Sequence, residues 1–150
     1  MVLSSSHSMQ VSLAAVKSGK AGLDAHRQNL LDKALKTGDC ASFERDSIEL
    51  KDLAYLTAKV GDEFALLRGK KEDILYHGEC TKCRFLGELE QGLMSHRLEL
   101  VGHAHPGEPI PIPSREDRQM LEQIGQARSK IISARTGRIA DYGPDRFEPL

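Results

Sequence analysis

The sequence predicts a single α/β domain. Its 150 residues are the length of one domain, and a hydrophobic content of 39% is enough for one core. Apolar residues at helical spacing alternate along the chain with short strand-like apolar runs. Lys and Arg number 21 and Asp and Glu number 22, a balance that argues against a general polyanion-binding protein. No segment approaches the roughly 18 consecutive apolar residues of a membrane span, so we expect a soluble protein.

The first third of the chain is expected to be mainly helical. Residues 1–10 are rich in serine and indicate a flexible lead-in or an expression remnant. Residues 11–50 are expected to form an N-terminal helical extension, in which apolar spacing predicts a helix over about residues 23–36, closed by Gly38, with a weaker helix before it. The start of the chain has no basic segment before an apolar stretch, so no signal peptide is expected. Three cysteines are too few for a disulfide scaffold and suit a reducing compartment.

Strands and helices alternate in the middle of the chain. Residues 47–56 predict a short strand that continues into a helix, with Asp52 as the N-cap of that helix. Two apolar runs around a polar turn predict a β-hairpin over residues 63–78, and apolar spacing predicts a helix over residues 85–95. Residues 98–102 are expected to form a short buried strand that ends next to two histidines.

The last third begins with a loop that is rich in proline. Pro106–Pro113 contains four of the six prolines, which predicts a rigid, extended connection. Ser114 is expected to be the N-cap of the next helix, because acidic residues follow it in the first turn. Residues 129–142 predict a closing hairpin, and a loose tail is expected after Gly143.

The residues that point to chemistry lie on both sides of the proline-rich loop. His103 and His105 are two residues apart at a strand end, where alternate side chains point the same way. Asp117 lies in the first turn of the following helix, where its carboxylate can complete the same site. Two histidines and one aspartate leave a coordination position open, which is the arrangement of a catalytic zinc site.

The segment from His103 to Asp117 resembles the JAMM motif of the JAB/MPN metalloproteases. That motif is written H-x-H-x7-S-x2-D with an upstream glutamate, and it is matched here by His103, His105, Ser114 and Asp117, with Glu63 upstream. The loop before the serine has eight residues rather than seven, and the extra residue lies in the proline-rich segment, where insertions are tolerated. The pattern is also similar to the RadC branch of the superfamily. The flanking residues are similar to JAB-like domains at the ends of bacterial polymorphic toxins.

The resemblance covers about residues 62–142 and implies a fold, a cofactor and a role for each matching residue. The implied fold is a JAB/MPN-like domain over residues 51–150, with a mixed, curved β-sheet flanked by helices and layered as in cytidine deaminases. The implied cofactor is Zn²⁺. Glu63 is implied as the general base and then the general acid, and Ser114 as the donor that stabilises the oxyanion. The implied zinc ligands are His103, His105 and Asp117.

The function that the resemblance implies is zinc-dependent hydrolysis of a peptide or isopeptide bond. The expected substrate is a protein, with a ubiquitin-like conjugate as the implied class, and neither a membrane nor a nucleic acid is the expected partner. The expected location is the cytoplasm, or delivery as part of a secreted bacterial effector. Two alternatives stay open: a non-catalytic MPN-like interaction module, and a RadC-like protein associated with DNA.

The general base has a neighbouring competitor. Successive side chains of a strand point to opposite faces, so only one of Asp62 and Glu63 can face the zinc. Ala65 and Leu67 share the face of Glu63, and these small or apolar neighbours favour Glu63 as the inward residue.

The remaining cysteines and basic residues have simpler interpretations. A second metal site or a redox pair at Cys80 and Cys83 would need further ligands, and Cys40, His77 and His96 form no known pattern with them. An ordinary pair of turn cysteines is therefore the favoured interpretation. A zinc deaminase is disfavoured because its His-x-Glu precedes its cysteines, whereas here the cysteines come first. Residues 114–138 hold six basic and three acidic residues without an aromatic stacking series, which favours a solvated helix face over a nucleic-acid patch.

Overall fold

A computed structural model describes residues 11–150, so the lead-in expected over residues 1–10 lies outside the described residues. The described chain forms five helices and seven strands. The helices are α1 (Leu13–Ser18), α2 (Ala25–Asp32), α3 (Leu50–Val60), α4 (Glu88–Met94) and α5 (Arg115–Ile124). The strands are β1 (Cys40–Glu44), β2 (Phe64–Arg68), β3 (Glu72–His77), β4 (Glu99–His105), β5 (Ser129–Ser133), β6 (Ile139–Tyr142) and β7 (Phe147–Pro149). Within residues 11–150, no helix has the length and apolar character needed to cross a membrane.

All seven strands belong to one open, mixed sheet. The strand order is β1-β3-β2-β4-β5-β6-β7. Strands β4 and β5 are parallel, and every other neighbouring pair is antiparallel. A parallel pair needs a crossover connection, and here α5 lies in that connection. The mixed α/β class and the helix-flanked sheet are thus confirmed, whereas the JAB/MPN fold itself stays a prediction.

Helices cover both faces of the sheet, and alternate residues of each strand pack on opposite sides. Phe64 and Leu66 of β2 pack in one cluster with apolar residues of α2 and α3, and we call this side the α3 face. Ala65 and Leu67 pack in a second cluster with apolar residues of α4 and α5, and we call this side the α5 face. The central strands are therefore buried on both sides, which explains their nearly continuous apolar sequences.

The segment before β2 is part of the same core. Leu30, Ala34 and Ile48 are buried in the cluster of the α3 face. Strand β1 pairs with β3 at the edge of the sheet and was not predicted from the sequence. The residues expected as a strand before α3 are not one, and the prediction of Asp52 as N-cap was wrong. The N-cap is Glu49, and Asp52 lies one turn inside the helix, where its carboxylate accepts a hydrogen bond from the Glu49 N–H at 2.8 Å.

Most other predicted elements are present with shifted ends. The hairpin of β2 and β3, the helix capped by Ser114 and the hairpin of β5 and β6 are confirmed. The strand predicted over residues 98–102 extends through His105, so both histidines lie within β4 rather than after it. The tail expected to be loose after Gly143 instead forms β7, which pairs with β6.

Gly102 in β4 provides a test of how tightly α3 packs on the sheet. A methyl group at this position would lie 2.5 Å from Leu50 Cδ2 and 2.8 Å from the carbonyl oxygen of Lys130. We expect Gly102→Ala to lower the free energy of unfolding by about 1–3 kcal/mol, as overpacking does elsewhere. Denaturant unfolding measures this change. Gly22→Ala is the control because nothing lies within 4 Å of its added methyl group, and equal effects of the two substitutions would contradict the packing.

Candidate metal centre

Three separate elements bring the predicted site residues together. Glu63 immediately precedes β2, His103 and His105 lie in β4, and Asp117 lies in the first turn of α5. Strand β2 pairs directly with β4, which places Glu63 beside the histidines. Helix α5 packs over the same face of the sheet. The site therefore lies between the sheet and the beginning of α5.

A β-bulge in β4 decides which way the histidines point. Leu66 pairs with Gly102, but the next residue of β2, Leu67, pairs with Leu100. Val101 is therefore an extra residue of β4: it lies between the partners of Leu66 and Leu67 and has no partner of its own in β2. Such a bulge breaks the strict alternation of side chains between the two faces and commonly re-aims a side chain near an active site.

The bulge puts both imidazoles on the α5 face. Leu100 packs on that face, so regular alternation would place Gly102 and Ala104 there as well. Instead, Ala104 packs in the cluster of the α3 face, and His103 and His105 point to the side of Asp117.

The two imidazoles and the carboxylate of Asp117 form a compact triangle. His103 Nε2 and His105 Nε2 are 3.1 Å apart. His103 Nε2 lies 3.2 Å from Asp117 Oδ1, and His105 Nε2 lies 3.1 Å from Asp117 Oδ2. Four tetrahedral ligands about 2.0 Å from a zinc ion lie about 3.3 Å from one another, so these spacings fit three ligands of one ion.

Glu63 is the fourth polar group of the centre. Its Oε2 lies 3.8 Å from His105 Nε2, which is longer than each of the three contacts that form the triangle. Glu63, His103 and His105 are buried, and one ligand atom from each lies within 4.8 Å of the others, close enough to bind a metal ion. Away from this centre, no group of three such side chains within residues 11–150 converges in this way.

A capping box fixes the direction of the Asp117 carboxylate. The Ser114 N–H donates to Asp117 Oδ2 at 2.8 Å, and the Asp117 N–H donates to Ser114 Oγ at 3.0 Å. These two bonds satisfy backbone donors at the start of α5, which have no partner within the helix. Ser114 thus lies next to the centre and orients one of its carboxylates. Its hydroxyl acts as an acceptor in this bond, so the hydroxyl proton is not used there.

Glu108 is a residue of the site that sequence reasoning missed. His105 Nδ1 donates to Glu108 Oε1 at 2.8 Å, which leaves His105 Nε2 to face Asp117. The Ser133 hydroxyl donates to the backbone carbonyl of Glu108. The end of β5 therefore holds the proline-rich loop in place. A carboxylate on the outer nitrogen of a metal-binding histidine fixes its tautomer and orientation. The only signal in the sequence was an acid three residues after the second histidine.

The electrostatics of the centre favour a positive charge. Burial alone would lower the pKa of His105, but its hydrogen bond to Asp117 and the charge of Glu63 raise that pKa to about 9. Burial alone would also raise the pKa of Asp117, but the charges and hydrogen bonds of the two histidines hold it well below its usual range. Burial raises the pKa of Glu63. Two carboxylates next to the same pair of imidazoles therefore favour binding of a cation at this point.

Asp62, the alternative candidate for the general base, contacts His77 rather than the centre. Asp62 Oδ2 lies 2.7 Å from His77 Nε2, and His77 Nδ1 donates to the carbonyl oxygen of Ala34 at 2.7 Å. This chain of contacts ties the segment after α2 to the end of β3. Asp62 and Glu63 thus point to different partners, as strand alternation requires, and only Glu63 contacts the centre.

The cysteines have unequal positions. All three are free thiols, and Cys40 and Cys80 are exposed. Cys83 donates a long hydrogen bond of 3.8 Å from its Sγ to Glu63 Oε1. Burial and the nearby charge of Glu63 raise the pKa of the Cys83 thiol well above its usual value. Cys83 therefore contacts the centre as a neutral thiol, a role that its place in a C-x-x-C pair did not indicate.

Comparisons with known proteins provide no relative from which the fold or the site could be interpreted. No family model, no curated protein and no solved structure matches this chain. The resemblance to the JAB/MPN metalloproteases accordingly stays a prediction from the motif.

Glu108 should matter for metal affinity without touching the metal. We expect Glu108→Ala to weaken zinc binding about 10–100-fold, because His105 loses the partner that fixes its orientation. Glu108→Gln keeps an acceptor oxygen and should lie between the two. Competition with a zinc chelator measures the affinity. The control is Glu122→Ala on the exposed side of α5, and a Glu108→Ala protein with wild-type affinity would show that this hydrogen bond is irrelevant to the centre.

Proposed function

We propose that this protein is a zinc-dependent hydrolase that cleaves a peptide or isopeptide bond. One observation carries the proposal: three side chains form a triangle with the spacing of zinc ligands, and a fourth side chain, the carboxylate of Glu63, lies slightly outside it. Two histidines and one carboxylate are a ligand set that catalytic zinc sites use, with one position left for water or substrate.

The residues divide the chemistry between them. When bound, a zinc ion supplies an activated water near neutral pH and polarises the carbonyl group under attack. His103, His105 and Asp117 hold the ion. Glu63 takes the proton from the attacking water and returns it to the leaving amine, since its carboxylate lies beside the triangle, 3.8 Å from His105 Nε2.

Ser114 is proposed to stabilise the oxyanion of the tetrahedral intermediate. Its hydroxyl lies next to Asp117, and its proton is not used in the capping box. A fixed hydroxyl donor at the edge of a buried centre stabilises developing negative charge more strongly than water does.

The substrate class follows from the chemistry and from the motif. An amide bond of a protein fits a centre that activates water and returns a proton to an amine, and the motif suggests a ubiquitin-like conjugate as one source of that bond. A cytoplasmic hydrolase and a delivered bacterial effector would both use the centre in the same way.

Zinc content is the first test of the proposal. We expect purified protein supplied with zinc to hold about one ion per chain, and His103→Ala to hold none, because it removes one vertex of the triangle. Elemental analysis after dialysis measures both. His26→Ala is the matched control, because His26 contacts Asp52 away from the centre and its loss should leave zinc content unchanged. Wild-type protein that cannot be loaded with zinc would refute the proposal.

Glu63→Gln separates a hydrolase from a metal-holding interaction module. We expect this variant to keep its zinc and to lose about 10²–10⁴-fold in the rate of amide hydrolysis, because a neutral amide cannot take a proton from water. Asp62→Asn is the control, since its side chain faces His77 and should leave hydrolysis in place. Hydrolysis that survives Glu63→Gln removes Glu63 from its role. A zinc-loaded wild-type protein that hydrolyses no peptide is instead the non-catalytic module.

A further inference from the structure

A cavity of about 250 Å³ opens directly beside the metal centre. His103 and Asp117 form part of its wall, so it is continuous with the place where the chemistry would occur. The segment Lys82–Phe85 and helix α5 form its other sides. Pockets for whole small molecules typically measure about 300–1,000 Å³, so this cavity has the size for a single side chain.

The floor of the cavity is mostly apolar, with the hydroxyl of Tyr142 as a buried polar atom, and its rim is polar. Phe85, Leu100 and Tyr142 line it and are buried. Met120 lies between floor and rim on α5 and is partly buried. The exposed lining residues are Arg84, Glu116, Gln119 and Gln123. A group that enters the cavity therefore leaves water and reaches an apolar surface as it goes deeper.

The charges at the rim do not select a charged group. Lys82 and Arg84 lie on the loop side, and Glu116 lies on the helix side. Because both signs lie at the opening, a charged side chain of either sign meets repulsion as well as attraction at the rim. The apolar floor then decides what binds.

We propose that this cavity is a specificity subsite that takes a large apolar side chain, such as Leu, Met or Phe, from the substrate residue next to the scissile bond. The inference rests on the proposed hydrolase function and adds the class of substrate. A glycine or alanine at that position would leave the apolar floor uncovered. Differences of a few methylene groups in an apolar pocket change kcat/KM by roughly tenfold or more.

Peptide libraries test the inference directly. Zinc-loaded protein is incubated with two sets of peptides, one varied at the residue before the scissile bond and one at the residue after it. We expect one of the two positions to prefer Leu, Met or Phe over Gly and Ala by roughly tenfold or more in kcat/KM. Cleavage with no size preference at either position, or with a preference for glycine, overturns the inference while leaving the proposed hydrolase intact.

Met120 makes the test specific to this cavity. Met120→Trp fills the space and should abolish the preference for large side chains, and Met120→Ala enlarges the space and should shift the preference toward Phe. Both change a partly buried position on α5. Glu122→Ala lies on the same helix outside the cavity and should leave the preference unchanged. Unchanged preferences in both Met120 variants, with zinc content and unfolding temperature intact, overturn the inference.

A binding measurement makes the result independent of turnover. Glu63→Gln protein is titrated with fluorescent peptides that contain Leu or Gly at the chosen position. If the Leu peptide binds more tightly than the Gly peptide, and Met120→Trp abolishes this difference, the result supports the subsite even where no peptide is cleaved. In that case only the proposed hydrolysis fails. Equal binding of the two peptides overturns the subsite.

Discussion

The bulge at Val101 is the constraint on which the candidate centre depends. The strand β4 is covered on both faces after its exposed first residue, Glu99, so its later side chains pack on either the α3 face or the α5 face. Without the extra residue, a strand that buries Leu100 under α5 would point His103 and His105 toward α3. They would then be two polar groups in an apolar layer, at a high desolvation cost. One inserted residue converts that arrangement into two imidazoles that face the carboxylates of Asp117 and Glu63 on the α5 side.

The parallel pairing of β4 and β5 brings Asp117 next to the two histidines. A parallel pair requires the chain to cross the sheet, and α5 lies in that crossing with its N-terminus over the end of β4. The capping box then fixes the position of Asp117 relative to Ser114, because the two residues lie three positions apart in the first turn of α5. The length of the preceding loop changes where the helix begins but not this relation. The loop of eight residues, one longer than in the JAMM motif, is therefore compatible with the triangle that the structure contains.

The sequence predicted the elements with strong apolar patterns and missed those without them. The hairpin of β2 and β3 is apolar and bounded by glycine and charge, so its pattern was clear. Strand β1 alternates between exposed and half-buried residues, and β7 is exposed throughout, so neither edge strand left an apolar signal. His103, His105, Ser114 and Asp117 were predicted by their spacing, because that spacing is local, whereas Glu63 was predicted as the upstream glutamate of the motif. Glu108 and Cys83 were not, because their contacts with His105 and Glu63 arise only from tertiary structure.

The two carboxylates of the centre differ in a way that supports different tasks. Asp117 lies between two imidazoles and accepts a backbone hydrogen bond, and its pKa is held far below its usual range, so it stays ionised. Glu63 is buried with a single weak thiol donor, and burial raises its pKa. Neighbouring carboxylates whose pKa values are pushed apart commonly serve as one fixed charge and one proton carrier. Distance supports the same division, since Asp117 lies closer to both histidines than Glu63 lies to His105. Charge and distance therefore both support the proposal that Asp117 holds the metal and Glu63 carries the proton.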